Sequence, residues 1–195
     1  MPKGRPREFD AEKALDAALQ LFWRHGYEGT SLAALTKAMG INMPSLYAAF
    51  GNKEQLFRKV LERYLSGPAY YLPRALQEAT ARGATETLMR GAIDMVMHPG
   101  HPDGCLLVQG SLASGPVAEP VRKELNRVRA AAEAAVRIRY ERAIAEGDLS
   151  GSVDPNQLAR YFVTVIWGLS VQASGGATRA QLTETAAMAM RAWPE

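Results

Sequence analysis

The sequence predicts an all-α protein of about nine helices, and three observations support this fold class. Apolar residues recur every three or four positions, which is the period of an amphipathic helix, and no useful stretch alternates as a strand does. Capping residues stand before these stretches, and glycine or proline ends them. With 195 residues, 47% of them apolar, the chain can bury a substantial core in one domain or two small ones.

Short helices are expected in the first 66 residues, after a basic arm at residues 2–8. Asp10 is a good N-cap for the first helix, and Gly26 is a plausible left-handed stop. Thr30 or Ser31 caps the second helix, and Gly40 permits a tight turn after it.

The third and fourth helices follow directly. Asn42 caps the third, and Pro44 fits its first turn because an N–H is not needed there. Leu46 and Phe50 lie four residues apart and point inward. Asn52 caps the fourth helix.

Longer helices are expected after Ser66, so the chain divides at residues 1–66 and 67–195. The segment from His98 to Gly104 is predicted to be a loop because it holds two prolines and two glycines. The expected helices are 70–81, 85–97, 105–113, 118–145, 155–173 and 178–193.

Charge and cysteine content restrict the classes of protein. The first 66 residues hold ten Lys and Arg against seven Asp and Glu, so they carry the whole net charge of +3 and would face any polyanion. Ordinary surface variation is the alternative. One cysteine, no signal peptide and no apolar run of about 18 residues favour a cytoplasmic protein outside membranes.

The arrangement of the second and third helices around a glycine turn is typical of a helix-turn-helix, whose third helix lies in the DNA major groove. The stretch from Gly26 to Phe57 reads GYEGTSLAALTKAMGINMPSLYAAFGNKEQLF. It resembles the N-terminal domain of the TetR (tetracycline repressor) family in its Thr-Ser start, Gly turn, Leu-Tyr-x-x-Phe helix and Lys-Glu-x-Leu. The resemblance covers about residues 8–64; beyond them it rests mainly on helix number and length.

This resemblance implies a set of DNA contacts. Thr30 or Ser31 would bind a phosphate at the start of the second helix, and the Tyr47 hydroxyl and Lys53 ammonium would bind phosphates near the third. Tyr47 could instead be a core aromatic residue with a solvated hydroxyl, and Lys53 a solvated helix-start residue. The exposed side of the third helix would consist of Asn42, Met43, Pro44, Ser45 and Ala48.

Few of those side chains can make bidentate hydrogen bonds to a base edge. Methyl contacts with thymine and recognition of DNA shape would therefore contribute more to sequence recognition. Asn42 could instead be only a helix cap, because capping already accounts for it. Arg5 and Arg7 of the basic arm would add minor-groove contacts, or only general charge attraction.

The resemblance also implies an effector pocket in the C-terminal half and a dimer formed by the last two helices. An apolar or aromatic small molecule is expected, because Met and aromatic residues suit an adaptable cavity. Alternatively, the expected pocket residues belong to the packed core or to the dimer interface. Gln109 could simply form hydrogen bonds with backbone groups. The expected pocket residues are Met89, Ile93, Met97, Cys105, Leu106, Gln109, Tyr161, Phe162 and Trp167. The expected dimer residues are Val165, Gly168, Leu169, Gln172, Ala186 and Met190.

Cys105 has two interpretations. Its expected place at a helix N-terminus after Gly104 predicts a lowered thiol pKa, and some TetR-type regulators with a similar Gly-Cys-Leu start sense oxidants or electrophiles there. The other interpretation is a small buried apolar residue. His98, His101, Asp103 and Cys105 are metal-ligand types, but their spacing matches no closed zinc motif, so no metal is expected.

The expected function is therefore a DNA-binding transcriptional regulator. The resemblance implies repression. An effector that binds better when the two DNA-binding domains of the dimer are moved apart would release the dimer from DNA, and the fourth helix would transmit the movement. No enzyme and no cofactor are expected, because the chain has neither a His-Glu-x-x-His pair nor a Gly-x-Ser-x-Gly elbow. A helical ligand carrier is the other rival, and salt-dependent binding to random DNA would exclude it.

Overall fold

The computed structural model describes residues 9–112 and 118–194, and within these ranges the regular structure is entirely helical. The all-α prediction is confirmed. The helices are α1 (Ala11–His25), α2 (Leu32–Met39), α3 (Met43–Phe50), α4 (Lys53–Ser66), α5 (Tyr71–Ala75), α6 (Ala81–Val96), α7 (Leu106–Leu112), α8 (Glu119–Glu146), α9 (Pro155–Ser174) and α10 (Arg179–Met190).

The predicted caps begin the helices of the N-terminal part. The Asp10 carboxylate accepts from the backbone N–H groups of the first turn of α1, and Asn42 and Asn52 do the same for α3 and α4. Of the two candidates at α2, Ser31 is the cap, and its Oγ accepts from the N–H of Ala34. These caps satisfy donors that a helix start leaves without a partner.

Two helix boundaries in the C-terminal part differ from the prediction. The expected helix 70–81 is only the five-residue α5, because Thr80 starts α6 at Ala81, four residues earlier than expected. The Thr80 Oγ1 accepts from Gly83, and an Asp148 carboxylate oxygen accepts from the N–H of Ala81 at 2.6 Å. The Thr80 cap and a carboxylate from the turn after α8 together satisfy the first turn of α6 where it begins.

The last helix is also shorter than predicted. It ends at Met190, and Trp193 lies beyond it. The Trp193 ring packs against Tyr140 and Phe162, at centroid distances of 5.7 and 5.6 Å. Tertiary packing, rather than continuation of the helix, thus accounts for this apolar residue.

Helices α1–α4 form the N-terminal head around buried aromatic and aliphatic side chains. Phe22, Leu35, Leu46 and Leu56 are completely buried. Burial of an aliphatic or aromatic side chain stabilises a fold by about 1.5–3 kcal/mol, so these residues fix α3 against the other three helices. In the remaining chain α8 and α9 pack together and against α6.

None of the helices in the described residues is both long and apolar enough to cross a membrane.

Candidate nucleic-acid interface and ligand cavity

The outward surface of α3 is set by the two residues that hold its inner surface. Leu46 and Phe50 are buried, whereas Pro44, Tyr47 and Ala48 are exposed. Tyr47 shows 48% of its surface, so it is not a core aromatic residue. Helical periodicity puts these three exposed residues on one side, where a helix in a DNA groove would present them.

The first turn of α3 is partly committed to capping. The Asn42 Oδ1 accepts from the backbone N–H of Ser45 at 2.9 Å. Met43 and Ser45 are half-buried. The Asn42 side-chain oxygen is therefore used in the cap.

Thr30 is a poor candidate for a phosphate contact, contrary to the expectation that offered it beside Ser31. Its side chain is 1% exposed, and its hydroxyl donates to the carbonyl oxygen of Gly26 at 2.7 Å. Ser31 is exposed at the N-terminus of α2. Burial thus leaves Ser31 as the hydroxyl that a phosphate could reach.

Lys53 is half-buried at the first position of α4 rather than freely solvated. Its Nζ lies 4.4 Å from the centroid of the Tyr27 ring, a cation–π distance. Burial lowers the pKa of this ammonium, and the negative charge of Glu28 opposes that effect. The ring thus restricts where the charge of Lys53 can be.

Lys59 has a positioning role that the sequence analysis missed. Its Nζ donates to the carbonyl oxygen of Ala49 at 3.1 Å and lies 5.6 Å from the Phe50 ring. The bond satisfies a carbonyl at the end of α3, where a cation is also favoured by the helix dipole. No sequence signal marks it, because it depends on how α4 crosses α3. Arg5 and Arg7 lie outside the described residues.

A cavity of about 260 Å³ lies among α4–α9. Its wall is almost entirely apolar, and the polar side chains among its residues are those of two tyrosines, a cysteine, a tryptophan and a serine. The lining residues are Tyr64, Leu65, Ala69, Tyr71, Leu72, Leu88, Cys105, Leu107, Val128, Ala131, Ala132, Val136, Val163, Ile166, Trp167 and Ser170.

Of the nine expected pocket residues, the structure brings Cys105 and Trp167 to this wall. Met89 and Ile93 instead line an open groove between α6 and α10, together with Ala186 and Met190. The other lining residues were missed, because helical periodicity marks a side chain as inward-facing but does not distinguish a cavity wall from packed core.

The remaining expected pocket residues lie elsewhere. Leu106 and Phe162 are buried away from the cavity wall, and Met97 is half-buried after α6. Tyr161 is 42% exposed on the outer surface of α9. The Gln109 amide donates to the Asp103 carbonyl at 3.0 Å and to the Ser174 hydroxyl at 2.9 Å, so it satisfies local polar groups.

The expectation of a lowered Cys105 pKa is wrong. The thiol is 5% exposed just before α7, and burial raises its pKa from the ordinary value of 9.0. The Tyr64 hydroxyl donates to its Sγ at 3.2 Å, and that bond lowers the pKa by less than burial raises it. Desolvation disfavours the charged form more than the hydrogen bonds around the thiol favour it. The buried-residue interpretation fits this environment.

The outer surface of α9 and α10 exposes large apolar side chains. Tyr161, Val171 and Met188 are 42%, 49% and 59% exposed. Of the expected dimer residues, Gly168 and Gln172 are exposed and Val165 and Met190 half-buried, while Leu169 and Ala186 are buried within the protomer. An exposed apolar surface of this kind is typical of an interaction site.

The loop before Cys105 holds a pair of imidazoles. The His98 and His101 rings stack at a centroid distance of 4.2 Å. Within the ranges that the structure describes, no three His, Cys, Asp or Glu side chains come together as a metal site would require.

Two family models match the chain, one in the head and one in the C-terminal part. Residues 14–60 match the model described as bacterial regulatory proteins, tetR family, and residues 86–193 match the tetracyclin repressor-like C-terminal domain. The chain belongs to the TetR family. It is accordingly a DNA-binding transcriptional regulator with an N-terminal helix-turn-helix.

Individual transcriptional repressors resemble this chain along nearly its whole length. The HTH-type transcriptional repressor ComR of Escherichia coli strain K12 is 34% identical, over 99% of this chain and 93% of the relative. The HTH-type transcriptional repressor BdcR of the same strain is 33% identical, over 95% and 90%.

A solved structure adds a likeness in three dimensions. A cysteine mutant of the TetR family transcriptional regulator CifR, complexed with 26-bp double-strand operator DNA, is 43% identical with a TM-score of 0.94, over 98% of this chain and 100% of that one. The TetR fold therefore extends over both parts of the molecule.

Proposed function

We propose that this protein is a repressor that binds operator DNA as a homodimer and leaves it when a small uncharged molecule fills the cavity. Residues 1–66 would bind DNA, and residues 67–195 would bind the effector and the second subunit. No catalytic role is proposed. Because the target is DNA, the place of action would be the cytoplasm.

The exposed surface of α3 carries the DNA-binding part of the proposal. Pro44, Tyr47 and Ala48 face outward because Leu46 and Phe50 are locked in the core. Lys53 supplies a positive charge at the start of α4, and Ser31 supplies a hydroxyl at the start of α2. The family relatives named as repressors support the direction of regulation.

Dimerisation has a geometric reason in DNA recognition. Two recognition helices about 34 Å apart match one turn of the duplex and double the contact surface. The exposed Tyr161, Val171 and Met188 on α9 and α10 provide an apolar surface for the second subunit.

The class of effector follows from the chemistry of the cavity wall. Among the described residues, no Asp, Glu, Lys, Arg or His lines it, and burial raises the pKa of Tyr64, Tyr71 and Cys105, so these groups are neutral at pH 7. A charged ligand would lose its hydration and find no charged side chain on the wall to replace it, which is unfavourable by several kcal/mol. At about 260 Å³ the cavity is below the roughly 300–1,000 Å³ typical of drug-sized ligands.

The DNA-binding part is tested by selecting genomic fragments with the purified protein and measuring affinity for the best fragment and for random duplex DNA. Binding to both should weaken steeply with salt, because Lys and Arg displace condensed counterions. A protein that ignores DNA at low salt would be a ligand carrier, and the proposal would be wrong.

The effector part is tested with three ligands of similar shape: 1-naphthalenemethanol, 1-naphthoate and 1-naphthylmethylammonium. We expect calorimetric binding of the neutral alcohol alone, together with weaker binding of the selected fragment. Arg129 does not line the cavity, but its Cζ lies 4.6 Å from the Trp167 ring centroid. Preferential binding of the naphthoate would therefore contradict an uncharged effector.

A further inference from the structure

Trp23 connects the DNA-binding head to the loop that precedes α7. It belongs to α1, is 1% exposed, and its indole N–H donates to the carbonyl oxygen of Gly104 at 3.1 Å. The two residues are 81 positions apart in the chain. A buried hydrogen bond of this kind fixes the position of both partners, because breaking it leaves a donor and an acceptor unsatisfied away from water.

The same Trp23 also packs against the wall of the cavity. The Tyr64 ring meets it edge to face, with centroids 4.8 Å apart and an interplanar angle of 89°. Tyr64 is completely buried on α4 and lines the cavity. Its hydroxyl donates to the Sγ of Cys105, which lines the cavity too and directly follows Gly104.

Two parts of the cavity wall therefore converge on one side chain of the head. We propose that Trp23 and Tyr64 are positioning residues that transmit occupancy of the cavity to the DNA-binding helices. This inference rests on the proposed function, because it specifies the route by which an effector would change operator affinity.

Packing density makes this route effective. Protein interiors are packed like organic crystals, so a wall residue that moves must displace its neighbours. A ligand filling the cavity contacts Tyr64 and Cys105. A shift of Tyr64 acts on the Trp23 ring, and a shift of Cys105 acts on the Gly104 carbonyl that Trp23 binds. Both displacements reach α1, which packs against α2 and α4.

The test compares operator affinity with and without saturating 1-naphthalenemethanol. We expect the ligand to raise the dissociation constant for DNA about tenfold in the wild type, within the usual range of allosteric coupling. Trp23→Phe removes the indole N–H that binds Gly104, and Tyr64→Leu removes the ring that meets Trp23 edge to face. Each should reduce the ratio to less than about threefold while the ligand still binds. If Tyr64→Leu does not fold, Trp23→Phe, which keeps an aromatic ring in the core, carries the test.

Tyr140→Leu is the matched control. Like Tyr64, Tyr140 is completely buried and meets a tryptophan ring edge to face, here Trp193 at 5.7 Å, but it does not line the cavity. This variant loses a buried tyrosine without altering a contact of Trp23 and should keep the wild-type ratio. A purely structural role for Trp23 and Tyr64 would change stability but not the ratio.

A version without ligand uses Ser170→Leu, which places a larger apolar side chain in the cavity. It should weaken operator binding in the wild-type background and much less in the Trp23→Phe or Tyr64→Leu background. If filling the cavity weakens operator binding as much in both variant backgrounds as in the wild type, the route through Trp23 and Tyr64 is wrong, but effector release is not. If filling the wild-type cavity, by ligand or by the Ser170→Leu substitution, has no effect on operator affinity, effector release is overturned as well.

Discussion

Gly104 and Ser174 approach so closely that a Cβ on Gly104 would overlap the Ser174 Oγ, and it would also lie 2.5 Å from the Gln109 Nε2. Gly104 has a φ of +79°, in the left-handed region that favours glycine. A side chain at this position would therefore require the Ser174 and Gln109 side chains to move.

We predict that Gly104→Ala lowers the free energy of unfolding by about 2–4 kcal/mol, from backbone strain plus overlap. Gly147→Ala is the control, because Gly147 has a similar φ of +76° with open space around its Cβ position. It should lose only about 1–2 kcal/mol. Urea unfolding measures both, and equal losses would show that the contact with Ser174 and Gln109 is unimportant.

Tyr47→Phe combined with Lys53→Ala should weaken binding to the selected DNA fragment by at least about tenfold, because two charge-assisted phosphate contacts are lost. Removal of Lys53 should also reduce the slope of log affinity against log salt by about one. Lys123→Ala removes the same charge from an exposed side chain of α8 and should change neither quantity. Unchanged affinity in the double variant would refute the assigned DNA surface.

Met188→Glu should convert the proposed dimer into monomers, because it buries an unpaired carboxylate in the interface between subunits. Ile138→Glu provides a close comparison: Ile138 is 56% exposed on α8, against 59% for Met188, but lies outside the proposed interface. Sedimentation velocity across protein concentrations reports the association state. Dissociation by Ile138→Glu rather than Met188→Glu would place the interface on a different surface.

Stability should fall as pH rises above about 9. Burial raises the folded-state pKa of Cys105 from 9.0, so the unfolded chain loses this proton first and unfolding becomes more favourable with pH. The contribution is present below pH 9.0 and disappears as the pH approaches the folded pKa, at about 1.4 kcal/mol per pH unit.

Tyrosines extend this decline to higher pH. Burial raises the pKa of Tyr140 to about 12 from 10.0, although the hydrogen bond with Thr85 opposes the shift. Denaturant midpoints measured from pH 7 to 11 in wild type and Cys105→Ala separate the two effects. The variant should show less decline between pH 9 and 10. Parallel curves for the two proteins would mean that the Cys105 thiolate is tolerated in the fold.

Local sequence signals determined the helical class and much of the recognition element. Asp10, Ser31, Asn42 and Asn52 mark helix starts through side chains that bond to their own first turn, so the cap depends only on neighbouring residues. The same locality made the two surfaces of α3 predictable, because helical periodicity separates Leu46 and Phe50 from Tyr47.

Tertiary structure alone decided the cavity and the state of its thiol. Tyr64 has the helical spacing of any core residue, and only the paths of α4–α9 leave empty volume beside it. Cys105 follows a glycine at a helix start, a local pattern that predicts a lowered pKa. Its thiol is instead buried beside the Tyr64 hydroxyl, and desolvation there outweighs the local effects. Caps and periodicity are short-range properties of the chain, whereas cavity volume and desolvation depend on which distant segments surround a residue.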